Sequence, residues 1–287
     1  VDVAGYAARK NTGGSAGNKG TRYEDIYAAF RITYFASELI GGSEEDPHVS
    51  SQIVGLVDDF RISTSKSTDY YQLKNKQQVT WSGGDHPIQD DFAHQFRLSS
   101  YLGETSPTTN LVVPCDVIRT TMEQNKPEAI SAHSSVHHFP WLETANRLIL
   151  ENQDLRAWLS IVSNVESPTY DVLEGAFSAL LSASLAYPQG AQVSALLARA
   201  SRMYPGQIRI GPPEMNWMEF LRSDFKGVID LIPELSYVAT RGYFRWEALN
   251  MSGVFSYPIG SAEFSAFQES VVLRNPLTFD DFEELLP

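Results

Sequence analysis

A single cysteine, Cys115, occurs in the 287 residues, so an internal disulfide and any site built from several thiolates are excluded. The residue reads as a buried thiol in an apolar strand. Long hydrophobic runs are missing too: nothing approaches the roughly 18 consecutive apolar residues that cross a bilayer, and Val1 to Lys19 lacks the apolar centre of a signal peptide. A folded cytoplasmic protein with no membrane partner is expected. Basic residues are outnumbered, 22 Lys+Arg against 35 Asp+Glu, for a net charge of -13. That balance argues against a protein that coats nucleic acid, whose affinity would come from neutralising phosphates. It leaves room for a local basic track beside an acidic site. No Walker-type phosphate loop, serine-hydrolase elbow or HExxH pattern is present.

What is present divides the chain near residues 124–135. Residues 1–20 are rich in Gly, Ser and Asn and read as a flexible N-terminal segment, made basic by Arg9, Lys10 and Lys19 with Arg22 just beyond. Tyr23 to Ile40 carries Ile26, Ala29, Phe30, Tyr34, Ala36 and Leu39 at helical spacing. Thr21 and Glu24 form a capping-box pattern ahead of it, and Gly41-Gly42 ends it. Strands are expected at Ile53–Val57, Phe60–Thr64 and Tyr70–Lys76, a helix over Pro87–Tyr101, and a buried strand over Asn110–Ile118. The α-β-β-β-α-β order predicts an α/β domain over 21–128 with a mixed central sheet. From 129 to 287 helical patterns dominate, at Trp141–Leu150, Leu155–Val162, Tyr170–Ala186, Ala191–Tyr204 and Asn216–Ile232, broken by prolines. This half is expected to be mainly helical and to serve oligomerisation or the docking of a partner. It is the more acidic half, with 10 basic against 18 acidic residues, compared with 12 against 17 in residues 1–128.

The residues that can carry chemistry lie in the first half. Asp58 and Asp59 fall between two expected strands, and Gln72 and Lys74, two apart in the next strand, share a face. With Glu24 in the first turn of the preceding helix, they offer oxygen donors and one ammonium, a set suited to metal-assisted phosphodiester hydrolysis. Taken blandly, Asp58-Asp59 would be turn formers and Lys74-Asn75-Lys76 a solvated strand end. Lys76, Arg97 and Arg119 are candidate phosphate contacts. His133 and His137 have the i, i+4 spacing of a helical zinc pair, but with no cysteine nearby a polar linker is the preferred reading. Trp141, Trp158, Trp217, Tyr243, Phe244 and Trp246 read as core aromatics ahead of base-stacking platforms.

Three segments, Gly20-Thr-Arg-Tyr-Glu-Asp-Ile-Tyr, Val57-Asp-Asp-Phe-Arg-Ile and Tyr70-Tyr-Gln-Leu-Lys-Asn-Lys, resemble the successive motifs of PD-(D/E)XK restriction-endonuclease-like nucleases. The similarity, over roughly residues 15–120, is to the double-stranded-DNA endonuclease domain of bacterial anti-phage defence effectors. It implies a restriction-endonuclease-like core, one or two Mg²⁺ ions with Mn²⁺ able to substitute, and cleavage of duplex DNA. By this resemblance Asp59, or Asp58, is the metal-binding acid, and Gln72 holds the variable acidic position. Lys74 positions or activates water, and Glu24 is the helix acid. Lys19, Arg22, Lys76 and Arg97 would contact DNA. Gln72 departs from the usual Glu or Asp, although Mrr-like nucleases resemble this chain in having Gln there. A catalytically inactive relative acting as a binding or assembly module is the alternative.

Overall fold

A computed structural model describes residues 18–142, 144–187, 189–204, 206–211, 215–248 and 251–287, with side chains from Arg22 onward. The expected flexible segment therefore lies outside the described residues except for the backbone of 18–20, as does the Lys19 side chain. The first helix, α1 (Asn18–Ile40), begins earlier than expected, so Thr21 falls inside it and does not cap it. Tyr23, Ala29, Ile32 and Ala36 are buried along it, and Ile26, Tyr27 and Ala28 widen the buried face. Such breadth suits a helix covered on two sides. It ends as the glycines foretell, with Gly42 at φ 98° and Ser43 N donating to Glu38 O at 2.9 Å.

Six strands form a mixed sheet in the order β5-β4-β3-β2-β1-β6. They are β1 (His48–Ser51), β2 (Phe60–Ser63), β3 (Thr68–Leu73), β4 (Pro107–Val113), β5 (Ser134–His138) and β6 (Ala191–Gln192). β3, β4 and β5 run parallel, and the other pairings are antiparallel. Alternation along the strands divides the core between the two faces. Phe60, Ile62, Tyr71, Leu73 and Val112 pack toward α1. Tyr70, Leu111 and Val113 pack with Phe92 of α2 (Ile88–Tyr101).

Two expectations for this half need correction. Ile53–Val57 is a loop, not a strand, and β1 lies upstream of it. Its apolar residues are needed under α2: Leu56 and Val57 are fully buried, and their backbone N–H groups donate to Gln95 Oε1 at 3.0 and 3.4 Å instead of to a neighbouring strand. Asp116–Ile118 likewise leave the expected strand and open α3 (Asp116–Gln124), with Cys115 as the half-buried residue that precedes it. A short α4 (Glu128–Ser131) follows.

The expected break near 124–135 is bridged by the sheet. β5 pairs in parallel with β4, so His133 and His137 do not share a helical face. His133 stacks on Phe96 with ring centroids 3.9 Å apart, and His137 Nε2 lies 3.0 Å from Asn110 Oδ1. The core above α1 continues into α5 (Ala145–Glu151), α6 (Gln153–Val162), α7 (Tyr170–Leu185) and α8 (Val193–Met203). A separate core follows from Trp217 to Phe282. It comprises a 3₁₀ turn (Trp217–Phe220), α9 (Ser223–Ile229), α10 (Ala262–Arg274), α11 (Phe279–Glu283) and an antiparallel sheet of β7 (Leu235–Thr240), β8 (Tyr243–Ala248) and β9 (Met251–Val254). The helical expectation omitted that sheet. Arg241 ties it to the end of α6, with Nη1 donating to the carbonyls of Ser160, Ser163 and Val165 at 2.9, 2.7 and 2.9 Å. No described helix is long and apolar enough to cross a membrane.

Candidate active site

At one end of the sheet the β2–β3 register, Phe60 opposite Tyr71, brings Asp59 beside Gln72. Gln72 Nε2 donates to Asp59 Oδ2, and Leu73 N donates to the same oxygen at 2.7 Å. The hairpin that carries Asp58 and Asp59 is closed by Gln52 N to Asp59 O at 3.1 Å and Ile53 N to Asp58 O at 2.8 Å. Gln52 adopts φ 51° to make this turn, a left-handed conformation uncommon outside glycine, and its side chain donates to Glu24 Oε2 at 2.5 Å. Lys74 lies one residue past β3, where Lys74 N still donates to Val112 O at 2.9 Å. Gln72 is 3% exposed, whereas Asp58, Asp59 and Lys74 are half-buried.

Electrostatics show that these groups share one environment. The Glu24 carboxyl is pushed up to about 7, first by burial, then by Asp59 and more weakly by Asp25 and Asp58, with Lys74 opposing the rise. A raised carboxyl pKa has a definite sign in stability. Below the ordinary value of 4.5 the group is neutral whether folded or not. Between there and about pH 7 the unfolded chain releases the proton while the folded chain keeps it, so stability falls as pH rises and stays low above 7. With the partial exposure discounted, the cost is on the order of 1–2 kcal/mol. Glu24→Gln is therefore expected to be more stable than the wild type at pH 8 and nearly equal to it at pH 4. Urea unfolding at the two pH values measures this, and an unchanged difference between the two proteins would refute it.

Among the described residues no three His, Cys, Asp or Glu side chains are grouped to hold a metal ion. The donor chemistry still fits Mg²⁺, which retains several waters and commonly takes only one or two protein carboxylates. Glu24, Asp59 and the Gln72 amide are all oxygen-bearing, and a half-turn about the terminal torsion of Gln72 exchanges its nitrogen for its oxygen. Of the expected DNA contacts, Arg22, Lys76 and Arg97 are exposed. Arg22 is two residues before Glu24 and Lys76 two after Lys74, whereas Arg97 is on α2. Arg119 is engaged elsewhere, with Nε 2.7 Å from Asp116 Oδ1.

Sequence reasoning missed three residues that shape this region. Gln52 holds Glu24 and had no distinguishing signal. Gln95 continues the helical spacing of Ile88 and Phe92 on the buried face of α2, and it fixes the loop leading to Asp58. Arg31, two turns along α1 from Glu24, donates from Nη1 to Tyr27 Oη at 3.1 Å and Tyr71 Oη at 3.0 Å. Its guanidinium lies 5.2 Å from the Tyr71 ring centre. It lines a groove of about 280 Å³ with Tyr34, His137, His138 and Trp158. Trp217, Tyr243 and Phe244 are core residues, in keeping with the preferred reading of the aromatics. In comparison with known proteins, no family model, curated protein or solved structure matches this chain.

Proposed function

We propose that the chain is a metal-dependent endonuclease of double-stranded DNA with a restriction-endonuclease-like core, of the kind used by bacterial anti-phage defence effectors. The observation that carries this reading is the meeting of Glu24, Asp59, Gln72 and Lys74 from α1, the β1–β2 hairpin and the end of β3. Glu24, Asp59 and Gln72 would hold Mg²⁺, with Asp58 adjacent. A bound Mg²⁺ supplies charge stabilisation at the scissile phosphate and acidifies a water. Lys74 orients that water or the phosphate through its ammonium. Glu24 must be ionised to serve as a ligand, so cation binding displaces its proton and weakens below about pH 7. Exposed Arg22 and Lys76 flank the site and hold the DNA backbone; the many acidic residues elsewhere keep non-specific affinity low.

The test is Mg²⁺-dependent digestion of plasmid DNA by the wild type and Lys74→Ala. A loss of roughly 10²–10⁴-fold is expected if the lysine acts on the reacting water or phosphate, and equal cleavage by both proteins would remove the site assignment. A second reading has one observation in its favour. Asp59 Oδ2 accepts from both Gln72 and Leu73, so it is satisfied within the protein. On that reading the domain is an assembly module, and neither cleavage nor calorimetric Mg²⁺ binding is seen.

A further inference from the structure

Far from the sheet end, a cleft of about 740 Å³ opens between the last turn of α1, α8 and the loop after β9. That volume suits a small organic ligand. Its walls are largely apolar, with Ile40, Leu197, Ile210 and Pro258 contributing. Into this lining the chain places Arg209, which is 8% exposed. Among the described residues its Nε has no hydrogen-bond partner and no carboxylate forms an ion pair with it.

The backbone that carries Arg209 is held in place. Arg209 N donates to Val162 O at 2.8 Å, Ile210 N donates to Arg241 O at 3.0 Å, and Ile208 pairs with Ser163. Neighbouring arginines are provided for: Arg241 donates to three carbonyls, and Arg245 Nη2 donates to Asn164 O at 3.1 Å. Arg209 has no such acceptor among the described residues. Burial, and more weakly Arg241, lower its pKa, yet a guanidinium stays charged at neutral pH. An unpaired buried charge on an apolar wall costs stability unless an anion meets it. Glu263 and Arg202 also line the cleft, so with Arg209 the lining carries one net positive charge.

We propose that this cleft binds a monoanionic amphiphile, an acyl or aryl body carrying one carboxylate-like head that pairs with Arg209. The proposal is independent of the nuclease reading, because binding is measured without DNA or metal. The probes are 8-anilinonaphthalene-1-sulfonate, its uncharged counterpart N-phenyl-1-naphthylamine, and decanoate as competitor, with the full chain at neutral pH. One sulfonate probe per chain is expected to bind, with displacement by decanoate and not by decanol. Arg209→Met should weaken the sulfonate by about tenfold or more, the worth of a charge-assisted contact, and leave the neutral amine unchanged. Leu197→Trp, which fills the cleft, should abolish both. Thermal unfolding keeps the test interpretable: Arg209→Met should melt at or above the wild-type temperature, since an unpaired charge has been removed. Equal sulfonate affinity in wild type and Arg209→Met would overturn the proposal. So would a neutral probe bound as tightly as the anionic one, absence of stoichiometric binding, or a lowered melting temperature for Arg209→Met.

Discussion

Asp59→Asn should reduce Mg²⁺-dependent cleavage of plasmid DNA by roughly 10²–10⁴-fold, the range seen when a positioned charged or hydrogen-bonding group is removed from a transition state. Asparagine preserves the shape of the side chain and keeps an oxygen that can accept from Leu73 N, the contact made at 2.7 Å in the wild type. The backbone of the hairpin should therefore stand. What disappears is the negative charge, which the proposed cation binding needs and which, after burial, contributes most to the raised Glu24 pKa. Two readouts should move together: activity falls, and the apparent Glu24 pKa drops toward the ordinary carboxylate range. Full activity in Asp59→Asn, with unfolding unchanged, would place any nuclease centre elsewhere.

A fragment ending at residue 128 should fail to fold as a cooperative unit. The α/β domain expected over 21–128 would lose β5, the parallel partner of β4, and Tyr23 Oη would lose the Phe139 carbonyl at 2.7 Å. More costly is the exposed flank of α1. Leu148, Ile149, Leu155, Leu159, Val162, Phe177 and Leu180 are all buried in the core that α1 shares. At about 1.5–3 kcal/mol for each large apolar side chain, their loss rivals the entire ~5–15 kcal/mol net stability of a domain. Urea unfolding and amide spectra of the fragment measure this. A sharp transition with dispersed amide signals would show that residues 21–128 stand alone.

Helices were the most legible part of the fold because their signal is local. α2, α6 and α7 lie within two residues of the expected ranges, since a 3.6-residue apolar stripe needs no knowledge of its partner. Strands fared differently. Ser134–His138 buries Ser134 and Val136 and offers only one apolar residue to the pattern, so β5 was hidden. In Tyr243–Ala248 two adjacent aromatics, Tyr243 and Phe244, are both fully buried, which blurs alternation. Ile53–Val57 has the composition of a strand and is a loop because Gln95, nearly 40 residues later, supplies the acceptor its backbone needs.

The candidate site divides along the same physical line. Residue types and order, Glu24, Asp58-Asp59, Gln72, Lys74, are properties of the chain and limit the chemistry to oxygen ligands and one ammonium. The excess of acidic residues and the single cysteine are equally fixed in advance. Proximity is not. Asp59 meets Gln72 because of a hairpin register, and Glu24 reaches them because α1 crosses that sheet under helices contributed by the second half of the chain. The raised Glu24 pKa arises only there, since desolvation and the neighbouring carboxylates act over a few ångströms and have no counterpart in an extended chain. Arg209 makes the same point: as a residue it is unremarkable, and its want of a partner among the described residues is a fact of packing alone.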